Sequence, residues 1–159
     1  MKAEPVVFEG KVLREWIDYN GHMNDACYVR VFSESIDNLM DYLGMNEGFR
    51  HREQVSIYTL QTVVHYLKEA ALDDPLVVTV RLLEYDSKKL RVFFTLRDPS
   101  SAAHFATMEA LLLHVDMSVR RSSVFREATV ERIEALFAAQ RDLSWPGRAG
   151  EGIALRRAP

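Results

Sequence analysis

Between Gln54 and Met117 the chain offers almost nothing but strand-like sequence, and the breaks in it are short. Leu76 to Tyr85 (LVVTVRLLEY) alternates Val78, Val80 and Leu82; Asp86-Ser87-Lys88-Lys89 is a turn signal before Leu90 to Arg97; Asp98-Pro99-Ser100-Ser101 is another before His104 to Met117. With Gln54 to Ala71 these make four long strands. Polar turns of this length leave no room for crossover helices, so the strands must run antiparallel, as a meander.

Ahead of them the period changes. Tyr28, Val31, Phe32, Ile36, Leu39, Met40 and Leu43 recur at three- and four-residue spacings and share one broad helical face, with Asn24 or Asp25 as the N-cap and Gly44 just past the end. The start, Val6 to Leu13, reads as a strand bent at Glu9-Gly10. Gly48 and the Arg50-His51-Arg52 cluster read as a loop. Thr129 to Gln140 carries Val130, Ile133, Leu136 and Phe137 on one face of a last helix. A single long helix and a single large antiparallel sheet bury each other best when the sheet curves around the helix, which makes the fold class α+β. The expected organisation is a single domain over 1–140 and an extended or mobile tail over 141–159, rich in Pro146, Gly147, Gly150 and Gly152.

Composition limits what such a domain does. The 159 residues are 48% hydrophobic and 27% charged, with a net charge of −3, so no basic excess points to nucleic acid or an anionic membrane surface. No apolar run reaches the ~20 residues of a membrane span, and the first five residues lack a signal-peptide core, which makes the cytoplasm the expected compartment. One cysteine, Cys27, excludes an internal disulfide and suits reducing conditions.

The chemistry concentrates in Asp18 to Tyr28. These eleven residues hold two Asp, two Asn, two Tyr, a His and a Gly. Burying so many polar groups without partners would cost roughly 1–3 kcal/mol each, so they belong to a solvated loop, an Asx turn or a polar site. A calcium loop fails, because Met23 stands where Gly is required and Val29 where a bidentate Glu is required. Zinc fails for want of short ligand spacing around His22, His65 or His114, so no metal is expected. In strand patterns His65 and His114 read as hydrogen-bonded, partly buried side chains.

A strand, then Asp18-x-Asn20-x-His22-x-Asn24 followed by Tyr28, then a long helix and a meander, resembles the hotdog-fold thioesterases. Plant acyl-carrier-protein thioesterases carry a similar Asp-x-Asn-x-His-Val-Asn-Asn-x-x-Tyr, from which this chain departs at Met23 and Asp25. The resemblance implies a hotdog fold and an acyl-CoA thioester as substrate. It implies a homodimer or homotetramer with sites between subunits, and no cofactor beyond the coenzyme A of the substrate. It also implies a second carboxylate in a Tyr-Arg-Arg-Glu pattern, onto which Tyr66-Leu67-Lys68-Glu69 falls. Relatives with an acid on the central helix make Glu34 the alternative. Trp16 to Met23 and Leu112-Leu113-His114-Val115-Asp116 are similar to the hotdog domain of betainyl-CoA thioesterases, also found fused to carnitine dehydrogenases.

Thioester hydrolysis needs a water deprotonated and an oxyanion stabilised, while the thiolate leaves readily. Asp18 and Glu69 are the candidate carboxylates, as general base or nucleophile. His22 can take the proton or donate to the oxyanion, and Asn20 can hold the water or the carbonyl. Backbone N–H groups around Asn24 to Ala26 complete an oxyanion site. For substrate binding the candidates are Trp16, Tyr19, Asn24, Tyr28 and Tyr66, with Tyr58 as a further aromatic. Lys88, Lys89 and Arg91, or Arg50 and Arg52, are the candidate phosphate contacts. Two other functions fit the same residues: a hydratase or dehydratase of enoyl thioesters, and a non-catalytic acyl-CoA-binding module.

Overall fold

The computed structural model describes residues 4–155. In chain order its elements are β1 (Val6–Lys11), α1 (Asp25–Tyr42), α2 (Glu47–Glu53), β2 (Val55–Tyr66), β3 (Pro75–Tyr85), β4 (Lys89–Arg97), β5 (His104–Asp116), β6 (Arg121–Ser122) and α3 (Glu127–Gln140), with one 3-10 turn at Arg14–Trp16.

The α1 helix starts where Asn24 Oδ1 accepts the Ala26 N–H at 2.9 Å. Its buried face is Tyr28, Val31, Phe32, Ser35, Ile36, Leu39 and Met40. It stops at Gly44, whose φ of +80° suits glycine, and a Cβ there would also meet the Arg132 side chain at 2.9 Å. Around this face the sheet curls in the order β1-β3-β4-β5-β2, every pair antiparallel. Val78, Val80, Phe94, Leu96, Ala106 and Met108 point inward to the core, while Thr79, Thr95 and Thr107 stand in register on the outer face.

Two expectations need correction. Only β3, β4 and β5 form a meander; β2 pairs with β5, from Val55↔Asp116 to Tyr66↔Ala106, and β1 takes the free side of β3. The link from Tyr66 to Pro75 therefore crosses the end of the sheet. Three strand spacings are about 14 Å, and its eight residues reach up to about 26 Å, so the crossing is easy. The expected strand Gln54 to Ala71 accordingly ends at Tyr66, and Glu69 lies on the crossing link. The region read as a loop at Gly48 contains α2, capped by Asn46 Oδ1, which accepts the Phe49 N–H at 2.9 Å. With no buried residue, α2 leaves no apolar period to read.

At the other flank α3 lies along β3 beyond the reach of β1, with Ile133 and Leu136 in the core. Gln140 seals this stretch of edge: its Oε1 accepts from Leu82 N at 2.8 Å and its Nε2 donates to Val80 O at 2.9 Å. After Gln140 the chain is pinned across the outer face. Arg81 donates to Ser144 O at 2.8 Å, Gly150 N donates to Glu109 at 2.7 Å, and Glu151 pairs with His65 at 3.2 Å. No described helix is long and apolar enough to cross a membrane.

Candidate active site

The polar stretch folds as a small hairpin. Ile17 bridges Met23, Asp18 N donates to His22 O at 3.2 Å, Gly21 N donates to Asp18 O at 3.0 Å, and Gly21 adopts φ +84°. Met23 N donates to Ala70 O at 2.9 Å, which docks the hairpin on the crossing link. Beyond the hairpin, the Tyr28 hydroxyl accepts the buried Ala70 N–H at 3.0 Å and donates to Lys68 O at 3.3 Å. Glu69 is thereby held between two bonded neighbours.

Between hairpin, helix start and link lies an open cleft of about 490 Å³. Asp18, Tyr19, Asn20, Asn24, Tyr28, Tyr66 and Glu69 all line it. His22 stands behind Glu69, its Nε2 3.0 Å from Glu69 Oε2. Both Asp18 oxygens accept hydrogen bonds, from Asn20 N at 2.8 Å and from Asn24 Nδ2 at 3.0 Å. The Asn20 N–H, then the Asn24 amide, hold the Asp18 carboxyl below the usual 3.8, with His22 nearby adding to the effect. It is an anion at neutral pH and a weak base. Burial raises both Tyr28 and Tyr66, which stay neutral phenols. The Tyr66 hydroxyl donates to Asp25 O at 3.2 Å, and the two rings meet edge to face at 5.3 Å.

Other candidates are elsewhere. Trp16 is buried in the core with the Arg30 guanidinium 5.9 Å from its ring centroid, and it lines none of the cleft. Lys88, Lys89 and Arg91 sit at the β3–β4 hairpin. Lys89 pairs with Leu113 and Tyr66 with Ala106, so this hairpin is seven residues along β5, about 23 Å, from the cleft of the same chain. Arg91 is also engaged, by Glu84 at 2.9 Å and Glu109 at 2.8 Å. Glu34 pairs with Arg30 at 3.3 Å, and Arg50 binds Met45 O at 2.7 Å. The oxyanion donors are fewer than expected: Asn24 N is bonded to Trp16 O and Ala26 N to Asn24 Oδ1, which leaves the Asp25 N–H unengaged among the described residues.

Sequence reading missed Met23, Leu67 and Lys68 as cleft residues, and took from Asp25 only its backbone N–H. Their only sequence signal is adjacency to the motif residues. Among the described residues no three His, Cys, Asp or Glu side chains converge as metal ligands.

Two carboxylates, an imidazole and hydrogen-bond donors around a cleft at a helix start are the means to activate a water and hold a developing oxyanion. A profile of the thioesterase-like superfamily matches residues 12–133, and the chain belongs to that family: it is a hotdog-fold acyl-CoA thioester hydrolase. Among individual proteins it is 37% identical over 148 residues to a betainyl-CoA thioesterase of Pseudomonas aeruginosa, covering 93% of each chain. It is 30% identical to an L-carnitine dehydrogenase/betainyl-CoA thioesterase of a Rhizobium species, covering 96% of this chain and 30% of that longer one. A Staphylococcus aureus protein solved in complex with CoA superposes with a TM-score of 0.89 at 28% identity, covering 96% of this chain and 97% of that one. A thioesterase candidate of Pseudomonas putida does so with a TM-score of 0.84 at 31% identity, covering 97% and 98%.

Proposed function

We propose that the protein hydrolyses betainyl-CoA to betaine and free coenzyme A, a step of carnitine breakdown. The observation that carries the acyl assignment is the cleft wall. It presents three carboxylates, Asp18, Asp25 and Glu69, against one ammonium, Lys68, together with the phenol rings of Tyr19, Tyr28 and Tyr66. An anionic, aromatic wall suits a trimethylammonium group and disfavours an acidic acyl group.

In this reading Glu69, steadied by His22, takes a proton from water as the water oxygen bonds the carbonyl carbon. The Asn20 amide and the Asp25 N–H receive the oxyanion; the C–S bond then breaks and the thiolate leaves. Asp18, held below the usual carboxylate range by its two hydrogen bonds, stays charged and faces the substrate's cation. The reaction requires no cofactor beyond the coenzyme A of the substrate. The protein works in the cytoplasm as a homodimer, with tetramers formed by pairing of dimers. Support for pairing comes from β2, a twelve-residue edge strand bearing exposed Tyr58, Leu60 and Tyr66.

The test is thiol release from betainyl-CoA and from 3,3-dimethylbutanoyl-CoA, which has the same shape without the charge. Two aromatic faces at an open site contribute about 1–2 kcal/mol, so the cationic substrate should lead by about tenfold in kcat/KM. Glu69→Gln and Asp18→Asn should lose about 10²–10⁴-fold, and His22→Ala should fall with them. Equal rates on the two substrates would sink the betainyl assignment. Water addition to an enoyl thioester without thiol release would make the protein a hydratase, and binding without turnover a carrier module.

A further inference from the structure

A second cavity, of about 440 Å³, lies on the outer face of the sheet beneath the segment 144–148. Its floor is the in-register row Thr79, Thr95, Thr107, on β3, β4 and β5. Arg81, Arg97, Arg148 and His104 stand in its walls against one carboxylate, Glu4. Thr107 is only 5% exposed, and its Oγ1 has no hydrogen-bond partner among the described residues; neither has the buried Arg81 Nε. Glu4, Leu143 O and Ser144 O occupy the other Arg81 nitrogens, and Glu151 pairs with Arg148. Arg97 makes no ion pair among the described residues. Buried donors without acceptors are costly to leave so. The group that would satisfy a hydroxyl and guanidinium N–H donors together is an oxygen-rich anion.

We propose that this cavity holds the phosphorylated nucleotide end of the substrate's coenzyme A, an inference that rests on the thioesterase reading above. A lone phosphate would leave most of the space empty, whereas a nucleotide fills it. Trp145, 54% exposed at the rim, already has the Arg91 guanidinium over its ring at 5.5 Å from the centroid, and its exposed remainder is the indole surface on which an adenine can stack. Leu67 lines both this cavity and the catalytic cleft, so a molecule whose phosphates lie on Arg97 can pass its pantetheine arm over one side chain to the carboxylates. The Lys88–Lys89 hairpin has no such continuity within the chain.

The experiment compares one acyl group carried on coenzyme A and on pantetheine, which lacks the nucleotide, in wild type, Arg97→Gln and Thr107→Val. Adenosine 3′,5′-bisphosphate and inorganic phosphate are titrated calorimetrically alongside. Loss of one charged hydrogen bond predicts about a tenfold rise in KM for the acyl-CoA with little change in kcat. KM for the acyl-pantetheine should stay put, and bisphosphate binding should weaken by a similar factor. Because Arg97 holds no other charge in place, its replacement leaves the fold intact. Parallel KM changes on both thioesters, no change on either, or inorganic phosphate binding as tightly as the bisphosphate would each overturn the proposal. If no thioester is turned over at all, the thioesterase reading fails by itself. Arg97-dependent bisphosphate binding would then still support the nucleotide cavity.

Discussion

Replacing Tyr28 by Phe removes one oxygen and, on the geometry above, loosens both the fold and the site. The hydroxyl accepts from Ala70 N at 3.0 Å and donates to Lys68 O at 3.3 Å. Ala70 is fully buried, so its N–H has no water to turn to. Lys68 is exposed, and its carbonyl can be rehydrated. The cost is therefore that of one buried donor left unpaired, about 1–3 kcal/mol. For a chain of this size each kcal/mol moves the melting midpoint by about 2–4 °C, so a fall of about 4–8 °C is expected at the centre of that range. Glu69 sits between the two freed peptides, and a misplacement of about 1 Å can cost 10²-fold in rate. Circular dichroism melts and initial rates of thiol release, taken well below the melting point, read the two effects separately. Tyr66→Phe is the control: among the described residues its hydroxyl bonds only the Asp25 carbonyl at the exposed helix start, and its loss should cost under about 1 kcal/mol. A Tyr28→Phe protein that melts within a degree of wild type and keeps its kcat/KM would refute the clamp.

Two further outcomes follow from other parts of the structure. His114 is fully buried, its Nδ1 2.9 Å from Ser123 O, and burial holds its pKa below 6.5. The unfolded chain thus binds the proton first as pH falls below 6.5. Its contribution is complete above 6.5 and is lost as pH drops through the folded value. Urea midpoints at pH 7.5 and 5.5 should fall less for His114→Gln than for wild type, and parallel losses would contradict this. Leu60, 52% exposed on the β2 edge, should be central to subunit pairing. Leu60→Lys should sediment as a monomer at concentrations where wild type is dimeric, and a monomeric, fully active wild type would remove the pairing.

Where a segment buries a regular face, its structure was legible in sequence. The three- and four-residue spacing from Tyr28 to Leu43 located α1, and alternating Val78, Val80 and Leu82 located β3, because burial imprints its period on the residues chosen. The α2 helix has no fully buried residue, only Phe49 packed partly against the core, and left no such imprint. Sheet order was illegible for another reason: whether β2 lies beside β3 or β5 is decided by β1 occupying β3, a contact between distant parts of the chain. The site shows the same division. Crowded polar residues from Asp18 to Asn24 announced themselves, since such a run has no place in a core. That His22 stands behind Glu69, that Tyr28 serves as a clamp, and that Trp16 points inward depend on packing between segments far apart in sequence.

The two flanks of the sheet are finished differently. On one, Asn38 reaches from α1 to the Val7 carbonyl at 2.6 Å, and Gln140 occupies the main chain of β3 where β1 runs out. On the other, β2 has no such cover among the described residues. Strand addition at β2 is a single event that uses that edge up. Two copies joined edge to edge through β2 would form a finite pair, and replacing Gln140 with alanine would leave Leu82 N and Val80 O on the opposite flank without their side-chain partners.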